Sequence, residues 1–259
     1  MTGRTSVADV ERWLDELYIA AEGARLRDED RRKAVEVAAL LDEIRLMLAR
    51  SARSREVTLV DAAAGKAYVG LLAARLVLEP LGRRGRVVAL EREPARAAAA
   101  RAAVARLGSH VGVECRVADV GDPAAWPEEP DLVVALHACG PAADAIIDRA
   151  AAANARRLLL VPCCTGKAVA AAGLATAAAR ALGVPRHAPV RRRFIQAMVD
   201  AERTLRLEAA GYETEVVELV PPTVTPHNLL WRARRVREPR RSAAARAALE
   251  RLGASGRAP

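Results

Sequence analysis

The sequence predicts an α/β fold: a Rossmann-like sheet of seven strands, the last two antiparallel, behind an N-terminal helical extension. Three observations lead there. From Val57 onward short apolar runs alternate with longer helical ones, the pattern of a parallel sheet wrapped by crossover helices. After five such strands the alternation stops, and two strand-like runs follow with only the seven residues PPTVTPH between them. Seven residues cannot hold a crossover helix, so the closing pair is antiparallel. Lastly, 259 residues, 52% of them apolar, suffice for one large α/β domain, and with only 3% aromatic its core must rest on Ala, Leu and Val.

Each element has its own signal. Residues 6–24 and 28–50 read as helices, with Val10, Trp13, Leu14 and Leu17, then Val35, Ala38, Leu41, Ile44 and Leu48, at helical spacing. Ser6 with Asp9, and Asp28, are their capping candidates. ARSARSRE then marks a linker, so the expected organisation is a helical element (1–54), a main domain (55–238) and an Arg/Ala-rich tail (239–259). In the main domain the strands are 57–61, 86–91, 111–119, 131–137, 155–164, 212–220 and 228–236. The helices between them are 67–81, 93–108, 141–154, 168–182 and 192–210, with Pro94 opening the second of these. The Ala-rich runs are helix formers rather than disordered.

In an open α/β sheet the ligand sits at the carboxyl ends of the strands. Here those ends carry Asp61 with the turn Ala63–Ala67, then Glu91, Asp119, His137 to Gly140, and Cys163 with Cys164. The first turn, LVDAAAGKAYVG, looks like a nucleotide loop and fails as one. A phosphate loop needs a glycine where Val60 stands and a hydroxyl where Ala67 stands. The dinucleotide fingerprint fails because Gly65 is the only glycine between Asp61 and Val69.

Charge and cysteine content bound the setting. Of the net +9, +7 lies from Trp231 onward, where nine Arg face Glu238 and Glu250, so the body is nearly neutral and the tail basic. Such a tail could contact phosphates, or be a solvated Arg-rich end. Four cysteines suggest no disulfide framework and read as free thiols of a cytoplasmic protein. No apolar run is long enough to span a bilayer, and the charged, amphipathic start is unlike a signal peptide.

VDAAAGKAYVG, DLVVALHACG, LLLVPCC and TVTPHNLLWRARR together resemble a family of S-adenosylmethionine (SAM)-dependent methyltransferase-like proteins. That family carries a D-x-G-x-G-K-G first loop, LHACG at the fourth strand end and VPCC at the fifth. The resemblance covers about residues 55–236 and implies a class I methyltransferase sheet with SAM as cofactor. Asp61, Gly65 and Lys66 match the loop, whereas the family's first and third loop glycines are Ala63 and Ala67 here. If those positions need φ > 0, each alanine costs on the order of 1 kcal/mol, although Ala67 would be favourable as a helix start.

With this cofactor in view, Glu91 is placed to accept from both ribose hydroxyls, since a carboxylate accepts twice and donates nothing. Asp119 is placed to accept from the adenine amine, or simply closes the turn ADVGDP. The cofactor-contact candidates are Asp61, Ala63, Gly65, Lys66, Tyr68, Glu91, Asp119, Val120 and His137.

His137, Cys139, Cys163 and Cys164 converge if the fourth and fifth strands are neighbours, and strand alternation sends His137 and Cys139 to one side. Three readings stay open: His137 deprotonating or orienting an acceptor, a metal site of unusual spacing, or tight packing of small cysteines. The catalytic candidates are His137, Cys163 and Asn228, the last in the loop before the final strand, and no metal is assigned. Trp126 and Trp231 are expected to pack. The expected function is a SAM-dependent methyltransferase acting on RNA or a protein side chain rather than a small molecule. The alternative is a non-catalytic protein of the same fold that holds RNA or a protein partner through its basic tail.

Overall fold

The structure, a computed structural model, describes residues 3–49, 55–163, 165–166 and 168–255. The linker residues 50–54, and with them the expected boundary between 54 and 55, lie outside the described residues, as do Cys164 and Lys167.

Seven strands form one sheet in the order β3-β2-β1-β4-β5-β7-β6: β1 Val57–Ala62, β2 Gly85–Glu91, β3 Gly112–Val117, β4 Leu132–Ala138, β5 Arg157–Pro162, β6 Tyr212–Glu218 and β7 Leu229–Arg235. The first five are parallel and β7 runs antiparallel to both β5 and β6. The order reverses between β1 and β4, which makes the carboxyl ends of those two strands the switch point where a ligand crevice opens. Leu59, Val60, Val87, Val88, Val133, Val134, Leu159 and Leu160 are all fully buried, which is why these strands read as continuous apolar runs.

The helices are α1 Val7–Leu14, α2 Asp28–Ala49, α3 Tyr68–Ala73, α4 Pro94–Leu107, α5 Pro141–Ala152, α6 Ala170–Ala181, α7 Ala188–Ala209 and α8 Pro239–Ser255. Ser6 caps α1 by accepting the Asp9 N–H. α1 and α3 run on into π turns, Asp15–Ile19 and Ala74–Leu78, which apolar spacing cannot distinguish from α-helix. Pro94 sits in the first turn of α4, as its fixed φ favours.

α1 and α2 share one core with β1 and α3. Val10, Leu14, Leu17, Leu40, Leu41, Ile44 and Leu48 join Leu59, Leu71, Leu72 and Val134 in a single buried cluster. Inside α2 the buried positions begin at Ala34 and Val37 rather than Val35, and they include Glu36. α7 is fixed to α5 by the buried Arg203, whose Nε donates to Asp144 Oδ1 at 2.9 Å. Both tryptophans pack: the indole N–H of Trp126 donates to the Val120 carbonyl at 2.9 Å, and that of Trp231 to Thr204 Oγ1 at 2.9 Å.

The tail is a helix docked on α7. Ser242 Oγ donates to the Glu208 carbonyl at 3.1 Å, and Arg246 reaches the Ala209 carbonyl at 3.2 Å, so tail side chains hydrogen-bond the last carbonyls of α7. Several other arginines beyond Trp231 are also engaged. Arg232 pairs with Glu43 and Glu215, Arg234 with Glu213, and Arg235 lies 4.9 Å over the Tyr212 ring. Among the described residues no helix is long and apolar enough to cross a membrane.

Candidate active site

The crevice at the switch point holds a cleft of about 360 Å³, lined in part by Lys33, Asp61, Gly65, Lys66, Tyr68 and His137. That volume lies within the range of small-molecule sites.

Its floor is set by Asp61. The carboxylate is buried at the end of β1 and accepts the Gly70 N–H at 2.8 Å, which holds the first turn of α3 against the strand. A Cβ on Gly70 would meet Asp61 Oδ2 and Val87 Cγ1 at 3.0 Å each, so a side chain there would have to push these neighbours by a few tenths of an ångström. Burial raises the Asp61 pKa to about 7, against the Gly70 hydrogen bond that lowers it; the neighbouring Glu91 charge adds to the rise.

The loop from Asp61 to α3 turns through left-handed residues. Ala63 has φ 55°, Gly65 φ 59° and Ala67 φ 60°. Ala67 is therefore no favourable helix start: it is the N-cap of α3 in the αL conformation, and at both alanines the Cβ crowds the following carbonyl. A Cβ built on Gly65 would meet nothing within 4 Å, so only its φ calls for glycine. Glu91, buried at the end of β2, ties the loop down: its Oε2 accepts the Gly65 N–H at 2.8 Å and its Oε1 the Glu93 N–H at 2.9 Å.

The N-terminal helices reach into the same cleft. Tyr18, kept neutral because burial raises its pKa, donates its hydroxyl to the Lys66 carbonyl at 2.7 Å. It packs edge-on against Tyr68 with ring centroids 4.6 Å apart, and Lys33 Nζ lies 5.2 Å from the Tyr68 ring. Opposite, the buried Glu36 of α2 contacts His137 through Oε2 and Nε2. His137, which lines the cleft, is thus held by a residue that sequence reasoning missed. An acid within a helix reads as solvent-facing, and only its place in the buried stripe beside Val37 hints otherwise.

The end of β4 departs from expectation. His137 has φ 60° and the β4–β5 register shifts between Leu136 and Ala138, so strand alternation does not carry through to Cys139. His137 turns to Glu36, while Cys139 forms a disulfide with Cys163. This corrects the free-thiol reading. Adjacent strands place the two Cα atoms 5.4 Å apart, inside the span a disulfide bridges. Cys163 therefore has no thiol to offer as a base or nucleophile, and it ties β5 to the loop after β4. Cys115 remains free, its pKa raised to about 11 by burial. Among the described residues no cluster of three His, Cys, Asp or Glu side chains could hold a metal ion.

The other candidates lie further along the edge. Asp119 is exposed, and its Oδ1 accepts the Gly121 N–H at 2.8 Å, as turn chemistry predicts. Val120 is buried beside Trp126. Asn228 does not line this cleft; its Nδ2 donates to the Val220 carbonyl at 3.0 Å and closes the loop before β7.

A family model for a methyltransferase domain matches residues 32–170. The chain belongs to this methyltransferase-domain family. The match begins inside α2 and ends just after β5, so it includes Lys33 and Glu36 with the five parallel strands. Among solved structures, magnesium protoporphyrin IX methyltransferase from Synechocystis, with bound S-adenosylhomocysteine (SAH), superposes with a TM-score of 0.51 at 14% identity, covering 89% of this chain and 100% of that one. A protein from Clostridium thermocellum described as an rRNA-methylase gives 0.52 at 12% identity, covering 78% and 96%. At these identities the likeness is one of fold: a class I, SAM-dependent methyltransferase fold. No curated protein matches the chain in sequence.

Two outcomes are expected. Ala63→Gly, at a half-buried position, should stabilise the fold by about 1 kcal/mol by relieving the αL alanine, read from urea midpoints; a loss of stability would show that the loop does not hold this conformation. Secondly, the folded chain keeps a proton on Asp61 up to a pKa of about 7, whereas an ordinary Asp loses it near 3.8. Stability should therefore fall as pH rises between those values. Asp61→Asn, which keeps an acceptor for Gly70, should lack that decline when the two proteins are unfolded in parallel at about pH 5 and pH 8.

Proposed function

We propose that the chain is a SAM-dependent methyltransferase with a macromolecular acceptor, RNA or a protein side chain. The observation that supports the methyltransferase reading is the convergence of Asp61, residues 63–66 and His137 on one cleft at the carboxyl ends of β1 and β4, with Glu91 at the end of β2 holding the Gly65 N–H.

The residues fit the cofactor. The loop offers backbone with an open position at Gly65, and both alanines already hold the left-handed conformation that the family's glycines would take. Glu91 uses one lone pair on each oxygen for an N–H and keeps others to accept from a diol. Asp61 is a buried acid that a cationic ligand would drive to its charged form. Tyr68, Lys66, Asp119 and Val120 complete the set proposed to contact the cofactor.

When bound, SAM supplies a methyl group on an activated sulfonium, so the protein is left to position the acceptor and take its proton. His137 is the group proposed for that proton. With Nε2 held by the Glu36 carboxylate, Nδ1 is the nitrogen free to accept, and Glu36 stabilises the imidazolium that forms. The disulfide fixes the backbone that carries His137. Asn228 is a positioning residue in this scheme, since its amide is committed to the loop.

Calorimetric titration with SAM and with SAH tests the reading. Micromolar binding of both is expected, and Glu91→Ala should weaken it about 10- to 100-fold, the worth of hydrogen bonds to a charged group. No binding of either ligand by the unaltered protein would favour the non-catalytic alternative.

A further inference from the structure

A second cleft, of about 330 Å³, opens beside the first. The two meet at one rung of the sheet. His137 lines the first; the next residue, Ala138, pairs with Pro162 of β5, and Pro162 lines the second. The second cleft lies on the α7 side of the sheet, where Trp231 packs, whereas the His137 side chain turns to α2 on the other side.

We infer that this second cleft takes an unpaired nucleotide of single-stranded RNA.

Its chemistry divides into a rim and a slot. Arg192 and Arg193, from α7, are exposed and make no hydrogen bond or ion pair among the described residues. They belong to a run of three arginines in the first half of α7, with no acid on that helix before Asp200. Cations near the positive end of a helix oppose its dipole; Arg191 is held by the Val184 carbonyl at 3.0 Å, which leaves Arg192 and Arg193 at the mouth. Unpaired guanidiniums at a cleft mouth suit phosphate oxygens. The exposed His227 stands across the cleft from α7, in the loop before β7.

The slot pairs an apolar wall with one oriented acid. Its apolar wall is the half-buried Leu229, with Pro162 and Trp231 buried at its edge. The Gln196 amide donates to both Asp200 oxygens, at 2.9 and 3.1 Å, while its carbonyl accepts the Thr165 hydroxyl at 2.8 Å. Asp200 is thereby fixed, with lone pairs left to accept from the exocyclic amine of a base. The same carboxylate repels Asp or Glu, so an acidic peptide fits the rim but not the slot. An unpaired base is needed because a paired one hides that edge. The tail is the weaker candidate for nucleic acid, since Arg232, Arg234, Arg235, Arg241 and Arg246 already hold acids, a ring or helix carbonyls.

The test is fluorescence anisotropy of a labelled single-stranded RNA of about ten nucleotides with the full chain, across a salt series. The Arg192→Ala/Arg193→Ala double variant should bind about tenfold more weakly at low salt, and its log–log salt slope should be shallower by about 1.4, two phosphates at 0.7 each. The Arg240→Ala/Arg251→Ala variant of the tail should stay within about twofold of the unaltered protein. SAH affinity, measured calorimetrically on each, reports that the fold and the first cleft are intact. No RNA binding, unchanged binding in the α7 variant, an equal loss in the tail variant, or displacement of RNA by an equal concentration of a poly-glutamate peptide would each overturn the inference. Absence of SAH binding with the RNA results as expected would overturn only the cofactor reading, leaving the cleft as a nucleic-acid site.

Discussion

The hydrogen bond from the Gly70 N–H to the buried Asp61 carboxylate is the constraint from which the rest of the crevice follows. It sets α3 close against the end of β1, so that a side chain at position 70 would press on Asp61 and Val87. With both ends of the intervening loop fixed, the chain turns sharply, and residues 63, 65 and 67 go left-handed. The backbone N–H of Gly65 then meets Glu91 on the neighbouring strand. One buried acid therefore orders the loop, and a second, one strand away, receives it. Keeping Asp61 out of water raises its pKa into the neutral range, and the loop geometry carries that cost.

The sheet alone does not finish the site. Tyr18 reaches the Lys66 carbonyl from the segment after α1, and Glu36 reaches His137 from α2. Both helices share their core with β1 and α3, so they are positioned by the same packing that builds the sheet. Glu36 and His137 join α2 to the end of β4. Beyond His137 the disulfide ties the end of β5 to the loop after β4, and the second cleft opens on the α7 side of the sheet.

Much of the fold was legible because its determinants are local. Strands buried on both faces read as unbroken Val and Leu runs, and a seven-residue connection left the last two strands only one way to pair. Asp61, Glu91 and His137 could be placed at strand ends for the same reason. What escaped depends on contacts between distant segments. Glu36 reads as a solvent residue until α2 is packed. The partner of Cys139 is known only once β4 lies beside β5. Ala67 reads as a good helix starter, since its propensity says nothing about the αL turn that Asp61 imposes. His137 reads as one more alternating strand residue, whereas its positive φ swings it towards α2.

The most direct measurement is an experimental structure of the protein crystallised with SAH. The expected result is a ligand lying along the 63–67 loop, with its ribose hydroxyls on Glu91 and its sulfur end towards His137. A ligand bound elsewhere on the sheet edge, or a ribose that leaves Glu91 bonded only to Gly65 and Glu93, would contradict the assignment of this cleft.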